Sequence, residues 1–446
     1  MATFRRRPLS EVLGPRGYVR GPFGSALVRG ELQDHGIPVY EQQHAITGTR
    51  EFRYFSDERK LKELSRFQVR PNDLIVSCSG TVGSISVIQP DDPLGIISQA
   101  LLILRPRTDL VLPEFLFYFL STREGKHAIT QASHGSVQVN IAPRGVVEQI
   151  EMPVPSLTEQ HAIVDTLGAF DAKIDLNHRM SQILESMARA LFKSWFVDFD
   201  PVRAKAEGRD LGIPRHLSSL FPAALVDSEL GPIPEGWHIE ALGSHVTVER
   251  GVSYGGAGLG SGDLPMHNLN SVYEGGGYKD GGIKFYAGEY RPRHVAQPGD
   301  LIVANTEQGH HRLLIGYAAI VPSRYPNGLF SHHLYRVQAL DESPLSSEYL
   351  CWLLNSDVMH ETVSGYANGT TVNMLPIAGL QRPPVCVPPE DLIRAFTSFV
   401  KEIRLRSEVA FRSGITLAAF RDRLLPGLLS GALVVGEVLG QSGGEL

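Results

Sequence analysis

The chain has 446 residues, 42% apolar and 20% charged, with 42 Lys and Arg against 48 Asp and Glu for a net charge of −6. That length predicts two or more domains with cores of their own. With no apolar run of about 18 residues and no apolar segment behind the basic start MATFRRRPLS, neither a membrane span nor a signal peptide is expected, and the predicted location is cytoplasmic. Cys78, Cys351 and Cys386 are far apart and read as buried thiols rather than a disulfide framework or zinc site. The acidic balance argues against nucleic acid, yet residues 1–70 carry thirteen Lys and Arg against eight Asp and Glu, a local excess of +5.

Residues 1–155 alternate strand-like runs with turns: IPVY at 37–40, DLIVS at 73–77, SISVI at 84–88 and IISQALLIL at 96–104. A helix (PEFLFYFLSTREG), a glycine-containing loop (SHGSVQVNI) and the strand QIEMPVP follow, so this is a mixed α/β domain. Residues 156–200 then hold a long helix. Its positions 163, 167, 170, 174, 177, 181, 184, 188, 191 and 195 form a heptad seam of alternating three and four spacings. Pro155, Ser156 and Glu159 give its start, and from Leu157 to Phe196 it would measure about 60 Å.

Residues 201–236 are rich in Pro, Gly and charge, as a linker is. A second domain covers 237–388 and repeats the first. VRPNDLIV at 69–76 matches AQPGDLIV at 296–303, an offset of 227 between Asp73 and Asp300; Asn140 and Asn373, and Val154 and Val387, are each 233 apart. One six-residue insertion between matched blocks is the mark of a duplication. Residues 389–430 repeat the helix, with Leu392, Phe396, Phe399, Ile403, Ala410, Leu417, Phe420 and Leu424 as its stripe, weakened by Gly414 and ended by Pro426 and Gly427. A tail, 431–446, remains. The predicted fold class is α+β: two duplicated mixed α/β domains separated by two long antiparallel coiled-coil helices in pseudo-twofold relation.

Catalytic patterns are weak. GVSYGGAGLGSGD at 251–263 contains neither GxGxxG nor GxxxxGK[ST] and reads as a loop. Asp91, Glu124 and Lys126 imitate a metal-dependent nuclease, but lie in a turn and at a helix end and are not repeated. His310–His311 and His332–His333 lack a carboxylate or cysteine at ligand spacing; in a strand each pair would show one imidazole per face. No catalytic residue and no metal ligand is assigned.

The run EQHAIVDTLGAFDAKIDLNHRMSQILESMARALFKSWFVDFDPVRAKAEGR, the restart SELGPIPEGW and the terminal RLLPGLLSGAL resemble the specificity subunit of type I restriction–modification systems. The resemblance implies two target-recognition domains, each reading one half of a bipartite double-stranded DNA sequence. It also implies helices that bind two copies of a modification (methyltransferase) subunit, and a restriction subunit that translocates DNA. The chain itself would be non-catalytic and hold no cofactor; the partners would bring S-adenosylmethionine, ATP and Mg²⁺. The rival readings are a coiled-coil adaptor without nucleic acid and a nuclease.

Base readers are expected in polar loops between matched strands. In the first domain these are Gln42, Gln43 and His44, then Ser79 and Thr81, then Ser133, His134, Ser136 and Gln138. In the second they are His267, Asn268 and Asn270, then Thr306 and Gln308, then Asn368, Thr370 and Thr371. Phosphate contacts are expected from Arg50, Arg53, Arg59, Lys60 and Lys62, and a turn-forming role from Asn140 and Asn373. Leu191, Phe192, Trp195 and Phe196 put more apolar surface at the helix end than one partner helix covers and are expected to bind the modification subunit.

Overall fold

A computed structural model describes residues 4–23, 26–79, 81–130, 140–254, 258–309, 311–369 and 372–436. The chain divides into two compact units, residues 1–176 with 413–446, and residues 177–412. Two helices run unbroken through that division, α1 (Leu157–Phe196) and α2 (Glu390–Ser430). The start of α1 is a reciprocal cap: Glu159 N donates to Ser156 Oγ (3.3 Å) and Ser156 N donates to Glu159 Oε2 (2.9 Å). In its middle, Ile174, Asn177, Ser181 and Leu184 are withdrawn from solvent while Asp175, Leu176, His178 and Ile183 face out, as the heptad requires. Asp171 is paired with Arg421 in the first unit, and Phe192 lies 5.6 Å from Phe396 in the second. Numbers rise along one helix as they fall along the other, which is antiparallel packing.

The seam of α2 differs from the predicted stripe. It runs through 396, 400, 403, 407, 410, 414, 417, 421, 424 and 428, all buried or half-buried, and so includes Ser407, Gly414 and Arg421. Steps of four and three from Phe396 reach Val400 and Ile403, leaving Phe399 and Phe420 one position outside, 43% and 54% exposed. Nor does α2 stop at Pro426–Gly427. A proline inside a helix costs about 3 kcal/mol. Leu425, Leu428 and Leu429 are buried in the core of the first unit, and full burial of a leucine is favourable by about 1.5–3 kcal/mol, so together they outweigh it.

Each unit is built on a four-stranded antiparallel sheet. The first unit contributes β1 (Leu13–Arg20), β2 (Leu74–Ser77), β3 (Ile85–Val87) and β4 (Leu101–Pro106), in the order β1-β4-β2-β3. The second contributes β5 (Val246–Arg250), β6 (Leu301–Ala304), β7 (Ala318–Ile320) and β8 (Leu334–Ala339), in the order β5-β8-β6-β7. The order is the same, and so is a parallel pair beside each sheet: Val39 opposite Ile96, and Met266 opposite Leu329. Val39 to Met266 is 227 and Ile96 to Leu329 is 233. The six-residue insertion is therefore the connection after the second sheet strand, residues 78–84 in one unit and 305–317 in the other.

The matched Pro-x-Asp turns have one physical cause. Asp73 accepts from Arg70 N (2.8 Å) and bidentately from Arg105 (2.6 and 2.7 Å); Asp300 accepts from Gln297 N (2.9 Å) and Arg336 (3.4 Å). A carboxylate, buried in Asp73 and half-buried in Asp300, that closes a turn and meets an arginine on the adjacent strand fixes where each sheet begins. Part of the glycine-rich run is strand rather than loop, since Leu259–His267 pairs with Lys284–Tyr286 across a register shift.

Candidate nucleic-acid interface

In each unit one end of the sheet collects loops. There β1 ends at Arg20, β2 ends at Ser77, and β3 and β4 begin; in the second unit Arg250, Ala304, Ala318 and Leu334 take those places. In the first unit Gln42 Nε2 donates to Ser79 O and Ser79 Oγ donates to Gln42 Oε1 (3.3 Å), with Thr81 exposed beside them. The predicted readers Gln42, Ser79 and Thr81 are therefore together. Ser133, His134, Ser136 and Gln138 lie outside the described residues, as do Thr370 and Thr371.

The longer loop of the second unit is held open by a brace. The buried carboxylate of Glu307 accepts from Leu313 N (2.8 Å), Leu314 N (2.9 Å) and Ile315 N (3.0 Å). Thr306–Gln308 pairs with Val372–Met374, and Asn373 Nδ2 donates to Gly309 O. Asn373 is thus a strand residue that clamps the loop, not a turn former. Gln308, His311 and Arg312 are left exposed at the tip, with Arg312 at φ +53°.

His332 and His333 stand in a turn, not a strand, and their rings are 3.9 Å apart rather than on opposite faces. Thr306 Oγ1 is 2.9 Å from His333 Nδ1, Tyr254 meets His332 edge-on at 5.4 Å, and Arg250 Nε approaches His332 O at 3.5 Å. Burial, first of all, lowers the pKa of both imidazoles. A neutral imidazole offers one donor and one acceptor, the chemistry of a base edge.

Several predicted contacts are structural instead. His44 is buried in the short helix Gln42–Thr47, where Glu41 N donates to its Nδ1 (2.7 Å) and its Nε2 meets Glu51 O (2.9 Å). His267 is fully buried with Nδ1 2.8 Å from the Tyr278 hydroxyl. Buried Asn268 caps a turn by accepting from Asn270 N (3.0 Å). Thr306 is buried too and reaches the site only through His333. Among these turn residues Gln43 and Asn270, 227 apart, face solvent.

Of the expected phosphate contacts, Arg50 is tied to Asp92 (2.8 Å), Ser86 Oγ (3.0 Å) and Val87 O (2.9 Å), and Lys60 to Glu31 (3.0 Å) and Ala26 O (3.0 Å). Arg53, Arg59 and Lys62 remain exposed, Arg59 near Asp57 and Glu63. Asn368 is exposed and bridged to Met374. Glu124, of the nuclease-like set, is held by Arg6 at 2.5 Å. Among the described residues no three His, Cys, Asp or Glu side chains gather as a metal site, and no helix is long and apolar enough to cross a membrane.

The helix-end aromatics also take another role. Phe192, Trp195 and Phe196 are buried in the core of the second unit, with Trp195 only 5% exposed and 5.2 Å from Phe221, and Phe196 5.1 Å from both Tyr349 and Phe396; Leu191 packs beside them. The helix turns these rings toward the unit's own core, so they are not a free surface. Sequence reasoning missed Arg20, Arg250, Tyr254 and Glu307, and weighed the paired histidines only as metal ligands. The recurrence of Arg-Gly after a strand, at 20–21 and 250–251, was the one available signal.

A family model described as a type I restriction modification DNA specificity domain matches residues 36–186. The specificity subunit of type I restriction enzyme HindI from Haemophilus influenzae is 36% identical over 144 residues, 31% of this chain and 30% of that protein. The MjaIX specificity subunit from Methanocaldococcus jannaschii is 23% identical over 394 residues, 85% of this chain and 82% of that one. The crystal structure of a type I restriction-modification S subunit from M. genitalium superposes with a TM-score of 0.52 at 14% identity, covering 96% of each chain.

Proposed function

We propose that the chain is a type I restriction–modification specificity subunit, a reading that the family model and the relatives support, and that it is the non-catalytic subunit that reads DNA for a modification and restriction complex. Each unit reads one half of a bipartite duplex target with the loops at the end of its sheet. The duplication carries this reading. Two copies of one scaffold present different polar groups at matched places: Gln43 against Asn270, Gln99 and Ala100 against His332 and His333, and a short loop against a long one. A shared frame with divergent side chains suits two different short sequences.

The partners are two copies of a modification subunit and a restriction subunit, which bring S-adenosylmethionine, ATP and Mg²⁺, in the cytoplasm where the DNA is. The docking surface for the modification subunit is the outward stripe Met180, Ile183 and Met187 on α1, 41%, 59% and 52% exposed, since large apolar side chains left in water at helical spacing favour a partner. It replaces Leu191–Phe196.

Fluorescence anisotropy with labelled duplex DNA, with and without the modification subunit, tests the reading. Salt-sensitive binding is expected; no binding in either state would favour the adaptor. Magnesium-dependent nicking by the isolated chain would contradict a non-catalytic subunit. Ile183→Asp is expected to stop co-purification of the modification subunit with an unchanged circular dichroism spectrum.

A further inference from the structure

The duplication supplies an internal comparison, because residues kept at equivalent places in both units need a reason that both units share. Most have one in packing. Pro71 and Asp73, like Pro298 and Asp300, make the turn into the sheet. Gly21 and Gly251 follow β1 and β5, and a Cβ on either would collide with the carbonyl oxygen of Ser98 or Ser331, which are themselves equivalent at an offset of 233. Gly21 N donates to Leu101 O and Gly251 N approaches Leu334 O in the same way.

Arg20 and Arg250 have no such reason. The sheet registers make them equivalent: Arg20 lies opposite Leu102 and Arg250 opposite Tyr335, and Leu102 and Tyr335 are again 233 apart. Among the described residues neither side chain forms an ion pair; the Arg20 side chain makes no hydrogen bond and that of Arg250 only the 3.5 Å approach to His332 O. Arg20 is nonetheless half-buried. Arg250 is exposed. Withdrawing the Arg20 guanidinium from water without a counter-charge is unfavourable, so an arginine kept at this place in both units, without a counter-charge in either, calls for an anion from outside.

Resting on the DNA-reading function above, we propose that Arg20 and Arg250 are matched phosphate contacts, each anchoring its unit on the DNA backbone at the half-site that unit reads. The side chains around them differ between the units: Cys78 and Ser79 against Asn305 and Thr306, Gln99 against His332. What differs can distinguish two half-sequences; what is the same can only meet what both half-sites share, the sugar–phosphate chain. The glycine after each arginine lets the chain turn tightly against the neighbouring carbonyl, which fixes the strand end that carries the guanidinium.

A control comes from the same duplication. Arg66 and Arg293, 227 apart, are exposed like Arg250 and without ion pairs among the described residues, but they precede the turns that enter β2 and β6, whereas Arg20 and Arg250 stand where those strands leave.

The experiment is a salt titration of duplex binding by the full chain with its modification subunit, using random-sequence DNA long enough to span both halves. Each phosphate contact accounts for about 0.9 in the slope of log K against log salt. Arg20→Ala and Arg250→Ala are each expected to lower the slope by about one and the double variant by about two, with unchanged unfolding midpoints. Arg20→Lys and Arg250→Lys should keep the wild-type slope, and Arg66→Ala with Arg293→Ala should not change it. Wild-type slopes in the two alanine variants overturn the inference and leave the DNA-reading function standing. Equal losses in the Arg66/Arg293 control, or lysine variants as weak as alanine, also overturn it, the first as general charge and the second as base recognition. Absence of any salt-dependent binding by the wild-type complex removes both.

Discussion

Tyr40 and His267 fill the same place in the two units, 227 residues apart, and they titrate in opposite directions. Each precedes a capped turn, Glu41–His44 in one and Asn268–Ser271 in the other, and each ring lies against a glycine, Gly95 or Gly328, that leaves no room for a Cβ. Tyr40 donates to Pro93 O at 2.8 Å and burial pushes its pKa up to about 12, so it stays neutral across ordinary pH. Burial pushes His267 down to about 4, with Nε2 unpartnered. The scaffold has kept the turn and the glycine while the ring chemistry diverged, and the second unit carries an acid sensitivity that the first lacks at this place.

The largest effect that separates the units lies where the helix ends close each core. At an offset of 233, Phe192, Trp195 and Phe196 correspond to Leu425, Leu428 and Leu429, aromatic closure against leucine closure. Trp195→Ala should destabilise the second unit by about 3–5 kcal/mol and Leu428→Ala the first by about 2–5 kcal/mol. Limited proteolysis with denaturant unfolding would show which unit is lost; retained solubility and stability in Trp195→Ala would return that ring to a partner surface.

Next comes acid. A histidine whose folded pKa lies below its unfolded value, near 6.5, binds more protons when unfolded, so stability is full above about pH 6.5 and falls as pH drops toward 4. The loss from His267 amounts to about 3 kcal/mol at pH 4. Unfolding free energies from urea titrations at pH 7 and pH 4 should differ less in His267→Gln by about that amount; an unchanged difference would remove His267 as the cause.

Smaller again is the brace of the long loop. Glu307→Ala strands three amides and should cost about 1–3 kcal/mol, read as faster hydrogen exchange at Leu313, Leu314 and Ile315. The smallest effects belong to Gln43→Ala and Asn270→Ala, within about 0.5 kcal/mol of wild type, each altering only its own half of the target in a methylation map.

The heptad of α1 was legible because Ile163, Leu167 and Leu184 recur on a mostly polar helix, and the duplication because a buried strand and its Asp turn leave the same letters, DLIV, in both units. The phase of α2 was not, since Ser407, Gly414 and Arg421 sit on its seam and Phe399 and Phe420 beside it. His44 and Asn268 misled because the side chains that read bases also cap turns, and burial alone separates the two uses. Lys60 and Arg50 misled in the same way, their charges being used by Glu31 and Asp92. Trp195 reads as surface in the sequence because helical periodicity does not say whether an apolar residue meets a partner or the chain's own core. Arg20 and Arg250 share only an Arg-Gly pair in the sequence, and their equivalence needs the registers of the two sheets laid side by side.

The central claim is that each unit reads its own half of the target. Replacing Gln308, His311 and Arg312 together by alanine removes the exposed tip of the second unit's loop and leaves Glu307 and its three amides in place. Sequencing the methylated sites produced by the complex with this chain should show one half-site relaxed, with the other half and the gap unchanged. Changes in both halves, or a site list identical to wild type, would contradict the account.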